Sequence, residues 1–94
     1  MAYMTVYRYQ FALEDRASVF LPKGAEILMV GMKKGEEYVS LWARVDSFAE
    51  KHEVRLAIRG TGHPLDGTEG EHVGSFICSD DYCVFHVFRE KDER

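Results

Sequence analysis

Proline occurs twice and cysteine twice in the 94 residues, so neither a proline-rich extended segment nor a disulfide-dense secreted scaffold is in question. No apolar run approaches the roughly 18 residues that a membrane helix requires, and no membrane span is expected. Met1-Ala2-Tyr3-Met4 leads straight into strand-like sequence, without the basic and then apolar stretches of a signal peptide. The expected location is therefore cytoplasmic. In that reducing compartment Cys78 and Cys83 are read as thiols. Positive charge is in deficit: 12 Lys and Arg face 16 Asp and Glu, for a net charge of −4. Broad nucleic-acid binding runs on basic residues that displace counterions and is not expected here, although a local basic pocket stays open. Long helical periodicity is also missing.

What is present is alternation. Hydrophobic residues make up 46% of the chain, enough for a globular fold. The length fits one domain over residues 1–94, with 89–94 a charged, frayed tail. Tyr3, Thr5, Tyr7, Tyr9 and Phe11 share one parity, and Arg8 and Gln10 the other, the period of a strand. Ser18–Leu21 is a short strand ending at Pro22. Glu26–Met32 is apolar on both parities, as suits a central strand covered on both faces, with a short helix as the alternative that periodicity leaves open. In Tyr38–Val45, residues Val39, Leu41, Ala43 and Val45 oppose Tyr38, Ser40, Trp42 and Arg44. Glu53–Arg59 alternates in the same way, and His72–Cys78 and Tyr82–Phe88 complete the set around a turn at Ser79-Asp80-Asp81.

Asp46–Lys51 is the one candidate helical turn, with Asp46 or Ser47 as its cap; a long hairpin loop is the alternative. Short connections predict that chain neighbours pair as hairpins. The expected fold is all-β: a small antiparallel sandwich or partly open barrel of six to seven strands, with at most one short helical turn. A chain this small buries a modest core, which makes a homo-oligomer an expected option.

The segments VYRYQF (6–11), LPKGAEIL (21–28), SLWARV (40–45), RGTGHPL (59–65), HVGSF (72–76) and VFHVF (84–88) together resemble an uncharacterised family of small proteins of tailed phages and prophages. RGTGHP and VFHVF are its more specific segments. The resemblance implies a phage or prophage origin. It supplies no catalytic residues.

The longest break in the strand pattern is Gly60–Glu71, GTGHPLDGTEGE, and long loops in compact domains are often functional. Arg59, Gly60, Thr61, Gly62 and His63 are the leading candidate site. Glycine lets the backbone approach a ligand, and successive N–H groups form a concave anion nest. Arg59 adds bidentate contacts to phosphate or carboxylate. The structural alternative is a tight loop with His63 merely exposed. No Walker pattern is present. Trp42 and Arg44, on one face with Tyr38, form a second candidate that can stack a ring against a cation. The tyrosine face of Tyr3–Phe11 reads as core or subunit interface before stacking platform.

Four histidines and two cysteines raise a zinc hypothesis, but Cys-x4-Cys across a turn comes without CxxC or HxxxH, so no metal and no cofactor is expected. Cys83 and His86 lie on opposite parities and cannot form a nucleophile–base pair. These features point to a non-enzymatic accessory protein that binds a host protein or sequesters a small anionic, nucleotide-like ligand. The alternatives are a virion or assembly component and, less supported, a small enzyme using His63 or His86.

Overall fold

A computed structural model describes residues 3–78 and 83–91. Seven strands follow in order: β1 (Met4–Ala12), β2 (Arg16–Pro22), β3 (Glu26–Gly31), β4 (Tyr38–Asp46), β5 (Lys51–Gly60), β6 (Glu69–Ile77) and β7 (Val84–Glu90). The described residues contain no helix. The candidate helical turn after β4 is a tight bend, in which Ala49 N–H donates to the Asp46 carbonyl at 3.0 Å. Asp46 caps that bend: its Oδ1 accepts from the amides of Phe48 at 3.0 Å and Tyr3 at 3.1 Å. The first two residues of the expected tail, Arg89 and Glu90, belong to β7. The turn at Ser79-Asp80-Asp81 and the start of the last strand at Tyr82 lie outside the described residues.

The strands form two antiparallel sheets, β1-β4-β3 and β2-β5-β7-β6, packed face to face as a sandwich. The Cα envelope is 16 Å in its shortest dimension, which suits two layers about 10 Å apart. Hairpin pairing of all chain neighbours, the expectation from short connections, is not what occurs. Only β3–β4 and β6–β7 pair with their neighbours in the chain. Instead β1 pairs with β4 from Met4↔Asp46 to Ala12↔Tyr38, and β2 with β5 from Arg16↔Ala57 to Pro22↔Lys51. The chain crosses between sheets after β1, after β2 and again after β4. The reason is burial: a strand with one apolar face gains most when that face meets another sheet. The crossing puts Val39, Leu41, Ala43 and Val45 into one cluster with Val54, Leu56 and Ile58.

The run Glu26–Met32 is also placed differently. β3 is an edge strand, and Leu28 and Met29 are about half exposed. Its register to β4 slips between Ile27 and Met29. A bulge inserts an extra residue and shifts the inward parity, so Ile27 and Val30 both turn toward the core. An apolar run on both parities thus needs only one covered face. On β1 the aromatic parity is graded: Phe11 is buried, Tyr9 packs on the core, and Tyr7 and Tyr3 are open to solvent. Between the sheets β6 comes close to β3. A Cβ added at Gly74 would lie 2.7 Å from Val30 Cγ2.

Candidate functional site

The loop that joins β5 to β6 is built from the end of β5 outward. Ile58 faces the core, so period-two alternation sends Arg59 to the outer side of the four-stranded sheet, opposite His86 on β7. Gly60 to His63 then form a turn. His63 N–H donates to the Gly60 carbonyl at 3.0 Å, and Gly62 takes φ +89°, which a side chain would resist. Thr61 N–H donates to the Val84 carbonyl at 3.0 Å and ties the turn to β7. The His63 ring lies against Gly60, where an added Cβ would come within 2.9 Å of it.

The second half of the loop is held by its own carboxylates. Glu69 accepts from the amides of Asp66 at 3.1 Å and Gly67 at 3.0 Å, and from Arg59 Nε at 2.8 Å. Burial alone would raise the Glu69 pKa, but these amide donors and the guanidinium outweigh it and hold the carboxyl below its ordinary value. Asp66 Oδ1 accepts from both the hydroxyl and the amide of Thr68, at 2.6 and 3.0 Å. Those bonds, and then Arg16 and Arg59, hold its carboxyl well below the usual carboxylate range.

Arg59 is the centre of this arrangement. It is 8% exposed. Its Nη1 donates to the carbonyls of Asp15 at 2.8 Å and Ile58 at 3.1 Å. Its Nη2 lies 3.4 Å from Asp66 Oδ2. Arg16 Nη2 approaches the same Asp66 oxygen at 3.2 Å. Two guanidiniums thus converge on a single carboxylate oxygen. That oxygen belongs to a half-exposed side chain on the wall of an open groove of about 660 Å³. Arg16, Ile58, Arg59, His63 and Pro64 line the groove together with Asp66 and the 14–15 turn.

Arg59 and Gly60 end β5, and Thr61, Gly62 and His63 open the loop that follows, with Arg59 and His63 on the groove. The amides of Thr61 and His63, candidate nest donors, are taken by the carbonyls of Val84 on β7 and of Gly60. Trp42 and Arg44 are elsewhere. They lie on the outer face of the three-stranded sheet, on the opposite side of the sandwich, where Arg44 pairs across the strands with Glu26 and Trp42 is flanked by Arg8 and Met29.

Two partners of Arg59 were not visible in the sequence. Arg16 and Asp66 reach Arg59 only through folding. A polar chain also runs across the outer face of the four-stranded sheet, from His72 through Ser75 and His86 to Thr61, in steps of 2.9, 2.8 and 2.8 Å. The Ser75–His86–Thr61 order is that of a nucleophile, a base and an orienting group, but it lies outside the groove. Register sets its centre, where Ser75 opposes His86 on the neighbouring strand, and the turn after β5 adds Thr61.

A model of the family described as a domain of unknown function, DUF7352, matches residues 3–94, and the chain belongs to that family. No curated protein and no solved structure matches it. No helix among the described residues is long and apolar enough to cross a membrane.

Proposed function

We propose that this chain is a non-enzymatic binding module of phage or prophage origin, acting in the host cytoplasm, that seats a small anionic, nucleotide-like ligand in the groove beside the 60–69 loop. The observation that carries this reading is the convergence of Arg16 and Arg59 on Asp66 Oδ2. A phosphate oxygen in the place of that carboxylate oxygen meets the same two guanidiniums. Anion replaces anion, so the largely dehydrated Arg59 keeps a counter-charge throughout the exchange. His63 and Pro64 supply a ring and an apolar wall for the rest of the ligand.

Calorimetry with pyrophosphate and a panel of linear and cyclic nucleotides tests the reading. Asp66→Asn keeps an oxygen for Thr68 but removes the competing charge. It is expected to tighten binding by about tenfold or more, because a charge-assisted hydrogen bond contributes about 1.5–3 kcal/mol. Adding Arg16→Ala to that variant removes the gain. If the Asp66→Asn protein gives no heat with any member of the panel, the groove is not an anion site.

A protein contact is the second reading, and the outer face of the three-stranded sheet favours it. Val6, Met29 and Tyr38 are about half exposed on the face that carries Trp42 and Arg44, the mixture of aromatic, Met and Arg side chains that enriches interfaces. A host protein, a second copy or a particle component would each cover it. Sedimentation of the pure chain and mass analysis of purified particles separate these cases.

A further inference from the structure

His72 and His86 stand on the neighbouring strands β6 and β7 and aim a ring nitrogen at the same point. His72 Nε2 lies 2.9 Å from Ser75 Oγ, and His86 Nδ1 lies 2.8 Å from it. The ring centroids are 6.5 Å apart. The other nitrogen of His86, Nε2, is 2.8 Å from Thr61 Oγ1, and that hydroxyl reaches the Val84 carbonyl at 3.3 Å. A carbonyl only accepts, so the Thr61 hydroxyl donates to it and accepts from His86 Nε2–H. This tautomer leaves the Nδ1 lone pair of His86 to accept from the Ser75 hydroxyl, so Ser75 Oγ accepts from His72 Nε2–H, and an ion bound here displaces that proton.

We propose that His72 and His86 form a binding site for a divalent late-transition-metal ion of the nickel, copper and zinc group, independent of the anion groove. Imidazole nitrogen is a preferred ligand for these ions. The Thr61 hydroxyl gives His86 the outer hydrogen bond that fixes the orientation of a metal-bound histidine. The Phe88 ring meets His72 edge-on, with centroids 5.4 Å apart, and holds the second ring in place. The register of β6 shifts on both sides of His72, and an ion between the two nitrogens requires Ser75 Oγ to move aside or to ligate. Among the described residues no group of three or more His, Cys, Asp or Glu side chains is placed to hold a metal. The site is therefore two-nitrogen and exchangeable, with water or an anion in its open positions, and it differs from a closed structural zinc.

Nickel(II) chloride titrated into the full chain, followed by two-dimensional amide NMR, tests this. Paramagnetic broadening is expected first around residues 72–75 and 86. His72→Ala and His86→Ala should each weaken binding by about tenfold or more, and Thr61→Val by up to about tenfold. Ser75→Ala should keep it, since both nitrogens remain. Broadening centred on Cys78 and Cys83, on His52 or on His63 overturns the proposal, as does a His86→Ala protein that binds nickel like the original. The unmodified chain decides the matter even if a variant fails to fold.

Discussion

Arg59 Nε donates to Glu69 Oε2 across 2.8 Å, with 10% of one side chain and 5% of the other exposed. The pair joins the penultimate residue of β5 to the first residue of β6 and closes the loop between them. Removing one partner leaves the other charge dehydrated and unanswered, which is far more damaging than replacing both. Arg59→Leu is expected to lower the melting temperature by about 10 °C or more. Arg59→Leu combined with Glu69→Leu should recover much of that loss. Thermal melts followed by circular dichroism check it, and two single variants that melt like the original would show that the pair holds nothing.

Acid should loosen the fold through three carboxylates. Asp66 is held low by Thr68, and Asp46 by the amides of Tyr3 and Phe48. Glu69 is held low by loop amides and Arg59 against the opposing effect of burial. A carboxyl whose folded pKa lies below its unfolded value contributes stability above the unfolded value and loses it as pH falls through the folded one. Urea midpoints should therefore be level near neutrality and fall below about pH 5, where unfolded carboxyls begin to protonate. Asp66→Asn should make that fall shallower. An unchanged slope in this variant would separate Asp66 from acid stability.

The close approach of β6 to β3 makes Gly74 a packing residue. Gly74→Ala places a methyl group 2.7 Å from Val30 Cγ2, and the branched valine has little rotamer freedom with which to yield. The expected loss is about 1–3 kcal/mol by denaturant titration. Combining it with Val30→Ala should cost less than the sum of the two changes, because the pair shares one space. Strict additivity would mean that the two sheets separate freely at this point.

At the end of the β6–β7 pair, Cys78 N–H donates to the Cys83 carbonyl at 2.8 Å and the two Sγ atoms lie 2.7 Å apart. Treatment with diamide is expected to yield an intramolecular disulfide, read as a loss of two hydrogens by intact mass and reversed by dithiothreitol. Closing so short a loop should stabilise the fold by no more than about 2 kcal/mol. A mass that stays unchanged under diamide would contradict the geometry.

Much of this architecture is legible in the chain because alternation is a local property. Val39, Leu41, Ala43 and Val45 announce one buried face and Val54, Leu56 and Ile58 another, and all seven are buried. The loop after Arg59 was equally visible from its glycines. Glu26–Met32 misleads for a physical reason: a bulge changes parity within a strand, and the apolar pattern does not record where the extra residue sits.

By itself, then, the sequence determined that the chain is all-β, roughly where its strands run and which parity of β4 and β5 turns inward, since side-chain direction in a regular extended segment depends only on its neighbours along the chain. Tertiary structure alone decided which strands pair, that Arg16 and Arg59 share the oxygen of Asp66, that Ser75 stands between His72 and His86, and that Trp42 and Arg44 face away from the loop. Parity names a face but not the strand across it. That choice is made by long-range burial, which no local pattern encodes.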